Sequence, residues 1–297
     1  MQDRKKPEAG PAPAQGLTPV RFTNLERTMY PAAGITKKDV IAYYIRAAPR
    51  MLPFLYNRPL TMHRYPDGVD GEDFYEKDAP RGTPPFVRTF LRHVETADRD
   101  VRFVLCDNLD TLLWLANLAS LEIHTTLSTA DAYDNPDFLL FDIDPEPPLT
   151  FDDVIDVAQY LREYLSEQGL RCYVKTSGKK GLHIVVPLTH GHRFSSVRSF
   201  AHATGIALAK EIPHVVSELP HSRDPGTIFM DYLQNAHGKT MAAPYSLRAT
   251  PSATISTPLP WEALHRGVRS EDFNIRTVLE RTGEPWRNIL DDRQTIG

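Results

Sequence analysis

A chain of 297 residues with 41% hydrophobic side chains can bury a substantial core, either as one large domain or as two closely packed lobes. Its net charge of −4, from 34 basic and 38 acidic residues, argues against broad coating of nucleic acid and confines any such contact to local patches. No apolar run approaches the ~20 residues of a membrane span and Met1–Val20 has no signal-peptide core, so a soluble, cytoplasmic protein is expected.

In chain order, residues 1–20 carry Lys5, Lys6, Pro7, Pro11 and Pro13 among small residues and read as a mobile tail. Thr36 followed by Asp39 predicts a capped helix through about Leu52. Pro59–Tyr65 reads as a strand before the turn Pro66-Asp67-Gly68, with short strands at Asp73–Lys77, Pro85–Val94 and Val101–Cys106. A strongly apolar helix is predicted from Leu109 to Leu121. Strands at Asp137–Asp144, Arg171–Thr176, Leu182–Leu188 and Thr227–Leu233 alternate with helices at Asp152–Gln168 and Ser196–Glu211. That alternation implies mixed α/β layers, and the short Gly178–Gly181 connection implies antiparallel pairing, hence a mixed rather than doubly wound sheet. No internal repeat or long linker interrupts residues 21–297, so one catalytic unit is expected. Cys106 and Cys172 have no C-x-x-C partner and read as small buried side chains.

The segment Phe138-Leu139-Leu140-Phe141-Asp142-Ile143-Asp144-Pro145 carries the strongest chemical signal. Side chains alternate along a strand, so Asp142 and Asp144 share one face while Phe141 and Ile143 take the other. Two carboxylates in apolar surroundings repel and lose hydration, a cost that a divalent cation relieves. Asp231 interrupts a second apolar strand; alone it reads equally well as an acid satisfied by backbone donors, but beside the other two it supplies the third ligand of a two-metal phosphoryl-transfer site.

Thr176-Ser177-Gly178-Lys179-Lys180-Gly181-Leu182-His183 joins two strands with a loop whose backbone N–H groups can converge on an anion. It lacks Walker A spacing and by itself is also what an exposed lysine hairpin would look like; next to D-x-D it reads as a triphosphate cradle, to which Lys239 and Arg248 can add charge. Candidate basic patches are Lys37–Lys38, Lys179–Lys180, the arginines Arg46, Arg50, Arg58 and Arg64, and the loop around His221 and Arg223. Lys37 sits in the first turn behind Thr36, where free N–H groups and the helix dipole favour an anion.

Together these residues resemble the archaeo-eukaryotic primase superfamily, and within it the polymerase domain of bacterial ligase D and its stand-alone relatives in prokaryotic end joining. The resemblance runs from about Val20 to the C-terminus. Beyond the stretches quoted above, it is carried by Thr23-Asn24-Leu25-Glu26-Arg27-Thr28-Met29-Tyr30-Pro31, Phe74-Tyr75-Glu76-Lys77, Leu121-Glu122-Ile123-His124, Gln234-Asn235 and Ala243-Pro244-Tyr245-Ser246-Leu247-Arg248. It implies a primase-polymerase fold with a largely antiparallel central sheet flanked by helices. It also implies a metal-binding catalytic set of Asp142, Asp144 and Asp231, with Ser177, Lys180, His183 and Arg248 on the nucleotide phosphates and Gln234 and Lys239 nearby. His124 resembles the histidine close to the incoming sugar, Phe74 the aromatic near the nucleotide or template base, and Arg27 with Lys37 the pair that holds a downstream 5′-phosphate. Arg27 stands where lysine is usual and Tyr75 where phenylalanine is usual. Template-directed extension of DNA ends, ribonucleotide preference, two manganese (or magnesium) ions, and work beside Ku and an ATP-dependent ligase are the implied activity and partners. The ligase motif K-x-D-G is absent from this sequence, so sealing is expected of another polypeptide. Two other readings stay open: a two-metal nuclease or phosphoesterase, and a non-catalytic DNA-end-binding module.

Overall fold

Residues 18–94, 98–218, 224–281 and 283–297 are described in the computed structural model of the chain. The expected tail lies outside the described residues as far as residue 17, and Val20, counted with it, is buried against the core. His221 and Arg223 also lie outside the described residues.

Strands β1 (Thr28–Tyr30) and β2 (Ile35–Thr36) pair antiparallel and lead into α1 (Lys37–Leu55). Thr36 and Asp39 form a reciprocal capping box, as their spacing predicts: Asp39 N–H donates to Thr36 Oγ1 at 3.3 Å and Thr36 N–H to Asp39 Oδ2 at 2.8 Å. The buried face of Val40, Ile41, Tyr44, Ala47, Met51 and Leu55 carries the helix past Pro49 and Pro53, beyond the expected end.

There follow β3 (Leu60–Arg64), β4 (Phe74–Glu76), β5 (Arg88–Val94), β6 (Arg99–Leu105) and α2 (Leu109–Asn117). The helix expected to reach Leu121 ends at Asn117. Ala119 takes a left-handed φ of 58°, and the chain turns into β7 (Ser120–Thr126), every residue of which is buried. The apolar run of α2 continues through Leu118 and Ala119 to Leu121, so the sequence by itself does not mark where the helix stops and the strand begins.

The second half comprises β8 (Phe138–Pro145), α3 (Phe151–Glu167), β9 (Tyr173–Thr176), β10 (Leu182–Pro187), α4 (Phe194–Glu211), β11 (Val215–Val216), β12 (Ile228–Met230), β13 (Thr240–Ala242) and β14 (Pro258–Leu259). One sheet has the order β11-β12-β8-β10-β9-β14, antiparallel except for β11 with β12. A second has the order β13-β7-β3-β4 and is wholly antiparallel. The fold is thus mixed α/β with antiparallel-dominated sheets.

Strand alternation sorts the core. Along β8, Leu139, Phe141 and Ile143 pack with Val154, Ala158 and Leu161 of α3 and Val197 and Leu208 of α4. Phe138 and Leu140 belong instead to the cluster built by α1, α2, β3 and β7. Asp142 and Asp144 continue that second face just where its apolar packing stops, which puts them between the two sheets. Among the described residues, no helix is long and apolar enough to cross a membrane.

Candidate active site

Three acids meet on neighbouring strands. Phe229 of β12 registers with Asp144, and the N–H of Asp231, one residue past β12, donates to the Asp142 carbonyl at 3.0 Å. The strand expected as far as Leu233 stops at Met230 because the Asp231 carboxylate accepts the Leu233 N–H at 2.9 Å and starts a 3-10 turn. Asn235 ties that turn to β8 by bonding both the N–H (2.9 Å) and the carbonyl (2.7 Å) of Leu140. Gln234 donates to Asp231 at 3.1 Å.

Burial pushes Asp142 up to about 6. Burial, then the Asp142 charge, pushes Asp144 to about 6 as well, and burial raises Asp231. His183, the Asp142 partner in the β8–β10 register, brings Nε2 to 3.3 Å from Asp142 Oδ1. Among the described residues, no hydrogen bond is made to the Asp144 carboxylate. Hard oxygen donors gathered out of water, with Asp144 left without a donor, fit a divalent cation.

The loop between β9 and β10 is pinned from inside. Ser177 Oγ accepts the N–H groups of Lys179 and Gly181, each at 3.2 Å. Any Cβ at Gly181 would overlap Asp144 and the Ile143 carbonyl, and Gly178 adopts φ 75° against Arg248 and Ile255, so both positions require glycine. Lys180 Nζ donates to the Pro145 carbonyl at 3.0 Å and reaches Glu146 at 3.1 Å, beside the acids. Beneath the loop, Lys175 is fully buried and touches His183 Nδ1 at 2.8 Å and Ser256 Oγ. Burial, followed by neighbouring positive charge, drives both Lys175 and His183 well below their ordinary values.

The facing sheet supplies the other wall. On β7, Glu122 and His124 emerge opposite the core residues Leu121 and Ile123. Glu122 is fully buried, and its Oε2 lies 3.1 Å from His124 Nε2, 3.2 Å from Arg248 Nε and 3.5 Å from His63 Nδ1. Its Oε1 accepts the Ala249 N–H at 2.9 Å and lies 3.4 Å from Lys179 Nζ. Burial alone would raise this carboxyl; hydrogen bonds from His124 and His63 and the Arg248 charge hold it far below the usual carboxylate range. The ligand atoms of His63, Glu122 and His124 lie within 4.8 Å of one another, close enough for a metal ion. The same carboxylate is already compensated by a guanidinium and an ammonium, which makes this trio a poorer cation site than the three aspartates. A cavity of about 310 Å³ opens between the sheets, with Asp142, His183, Arg248, Lys239, His124 and Tyr75 in its wall.

The family model for the LigD primase-polymerase domain matches residues 36–286. The chain belongs to this family. The bifunctional non-homologous end joining protein LigD of Bacillus subtilis is 31% identical over 264 residues, 88% of this chain and 42% of that protein. The multifunctional counterpart of Pseudomonas aeruginosa is 30% identical over 302 residues, 100% of this chain and 36% of that protein. The chain therefore spans less than half the length of these relatives. The polymerase domain of Mycobacterium tuberculosis ligase D, in complex with DNA, superposes with a TM-score of 0.85 at 29% identity, covering 93% of this chain and 99% of that one. As a LigD primase-polymerase domain, the chain falls in the class of DNA-directed nucleotidyltransferases.

Not every expected site residue of this LigD-type domain converges on the cavity. Phe74 registers with Arg64, whose guanidinium stands 5.1 Å from its ring, and so lies on the opposite face of β4 from Tyr75. Tyr75 faces the cavity instead, stacked on His63 at 3.8 Å and edge-on to His124 at 5.9 Å. Arg27 and Lys37 form a separate basic corner. Arg27 pairs with Asp67 and donates to the Pro66 carbonyl at 2.7 Å. Lys37 is buried with no partner for its ammonium among the described residues, and burial, then Arg27 and Arg64, lower it to about 8.

The helix N–H groups expected to be free at this corner are not. Lys37 N–H donates to the Arg27 carbonyl at 2.8 Å, Lys38 N–H to the Leu25 carbonyl at 2.9 Å and Asp39 N–H to Thr36. An anion there is held by side chains rather than by the helix end. Arg58 leaves the list of basic patches: it forms a buried fork with Asp137, both bonds 2.7 Å. Glu122, Lys175 and His63 carry no individual signal in sequence; only the strict alternation of β7, β9 and β3 could have pointed them inward. Cys106 is buried and Cys172 half-buried, both as free thiols.

Proposed function

We propose that residues 21–297 act as one end-joining polymerase domain that extends DNA ends or fills gaps, template-directed and with a preference for ribonucleotides. The observation that carries this reading is the convergence of Asp144 and Asp231 on Asp142, which lines a cavity together with Arg248, Lys239 and His183. A triphosphate needs both halves: cations for its charge, and carboxylates where the reacting phosphate sits. Two manganese ions, or magnesium in their place, held by the three aspartates would activate the attacking oxygen and stabilise the leaving phosphate.

The remaining roles belong to the chain itself. Arg248, Ser177, Lys180 and Lys239 hold the triphosphate, Gln234 keeps Asp231 oriented, and neutral His183 braces Asp142. Tyr75, and Phe74 from the other face of the same strand, offer rings to bases, while His124 stands at the sugar. The primer 3′-oxygen forms a bond to the α-phosphorus and pyrophosphate leaves. Lys37 and Arg27, with Arg64 close by, would hold the 5′-phosphate across a gap. Ku and an ATP-dependent ligase are the partners this activity calls for, with the bacterial nucleoid as its place of work.

Primer extension on gapped and blunt DNA, with ribo- or deoxynucleotides and manganese or magnesium, tests the reading. Faster ribonucleotide addition with manganese is expected. Strand hydrolysis without nucleotide would favour a nuclease, and DNA binding without either reaction a silent end-binding module.

A further inference from the structure

Glu122 lies under the cavity and touches two of its walls at once, His124 and Arg248. Its carboxylate, held far below its ordinary range, has no proton to donate, so the 3.1 Å contact with His124 requires the hydrogen on His124 Nε2. Burial lowers His124 to about 4, which leaves the ring neutral with a single N–H. Nδ1 is then bare, and among the described residues nothing donates to it. The position of the ring matters as much as its polarity. His124 stands between Arg248, linked through Glu122, and Tyr75, edge-on at 5.9 Å. Along a nucleotide, the group between a phosphate holder and an aromatic base platform faces the sugar.

We propose that Glu122 is a positioning residue that locks His124 in the Nε2–H form, so that the domain reads the incoming sugar through an acceptor, His124 Nδ1, which takes a hydrogen bond from the 2′-hydroxyl. This rests on the ribonucleotide reading above and deepens it by fixing which partner donates. A hydroxyl can donate or accept, so ribose against deoxyribose cannot reveal the direction. Analogues can: a neutral 2′-amino group donates, whereas 2′-fluoro only accepts and is smaller than hydroxyl, so its rejection is not steric.

The test measures kcat/KM of wild-type protein for four matched nucleotides (2′-hydroxyl, 2′-amino, 2′-fluoro and 2′-deoxy) on one gapped DNA. The 2′-amino nucleotide should fall within about threefold of the ribonucleotide, and 2′-fluoro should drop to the deoxy level, roughly five- to tenfold lower, the size of one neutral hydrogen bond. Equal use of ribo- and deoxynucleotides would overturn the sugar preference itself. A ribose preference shared by 2′-fluoro would overturn only the acceptor assignment. Nitrogen-15 NMR of His124 reads the tautomer without turnover: a protonated Nε2 and bare Nδ1 are expected, and a protonated Nδ1 sinks the proposal. In Glu122→Gln the amide must present an N–H to one of its present donors, so the ribo-to-deoxy ratio should shrink several-fold while 5′-phosphate discrimination stays unchanged. An unaltered ratio in a folded variant would remove Glu122 from the role.

Discussion

Asp142 and Asp144 on one wall of the cleft and Glu122 on the other are buried carboxylates with opposite fates. Burial pushes both aspartates up to about 6, with the Asp142 charge adding to the rise at Asp144, whereas Glu122, more deeply enclosed, is held far below its usual range. The difference is the number of partners. Glu122 meets an arginine, a lysine, two histidines and a backbone N–H, while Asp144 meets no donor among the described residues. A buried charge already matched acts as scaffold, and one left unmatched marks where a ligand of opposite charge belongs. Lys37 repeats the second case with the sign reversed.

The sharpest way to break this contrast is Asp142→Ala or Asp231→Ala. Single-turnover extension should fall on the order of a thousandfold or more, with gapped-DNA affinity nearly unchanged. Extension near the wild-type rate would mean that the acids do not carry the chemistry. Next in size, Glu122→Ala strands the buried Arg248 guanidinium and should cost about 3 kcal/mol in urea unfolding at pH 7. A loss under about 0.5 kcal/mol, within the range of ordinary surface substitutions, would show that Glu122 is not scaffold.

Lys37→Ala should remove most of the preference for a 5′-phosphorylated gap, about tenfold or ~1.4 kcal/mol at fixed salt. The preference should also respond to pH with a definite sign. The ammonium of free Lys37 is present below about 8 and lost above it, so wild-type discrimination should be full near neutrality and weaken at higher pH. Bound phosphate retains the proton and moves that loss upward. Because the unfolded lysine keeps its proton to about 10.5, this group opposes folding below pH 8, and its penalty fades as pH climbs through that window. A pH-independent preference would place the phosphate elsewhere. The smallest effect sharpens the comparison from the stability side. Asp144→Asn relieves repulsion with Asp142 and should stabilise metal-free protein by ~1 kcal/mol, read as a higher Tm, while extension is lost. A lower Tm would mean the site is not electrostatically frustrated.

Much of this site is local and was legible in sequence. The D-x-D face follows from the two-residue period of a strand, the Thr36–Asp39 cap from a four-residue motif, and the Ser177–His183 loop from glycines that only a tight approach to Asp144 and Arg248 requires. Where chain-order reading failed, the cause was tertiary. The end of α2 at Asn117 and the turn at Asp231 depend on partners that a propensity pattern does not contain. The start of α1 looked like an open anion site until the segment around Leu25–Arg27 was seen to occupy its N–H groups.

The sequence by itself determined which residue types lie on which side of each strand, and hence that a paired-carboxylate face and a glycine-rich loop exist. Only the tertiary structure decided that β12 lies beside β8, so that Asp231 joins Asp142, and that β7 turns Glu122 toward Arg248 and His124 rather than toward solvent. The physical reason is range. Alternation and capping are set by bonds a few residues apart, whereas whether a charge is matched depends on which distant strands pair and on the dielectric they enclose.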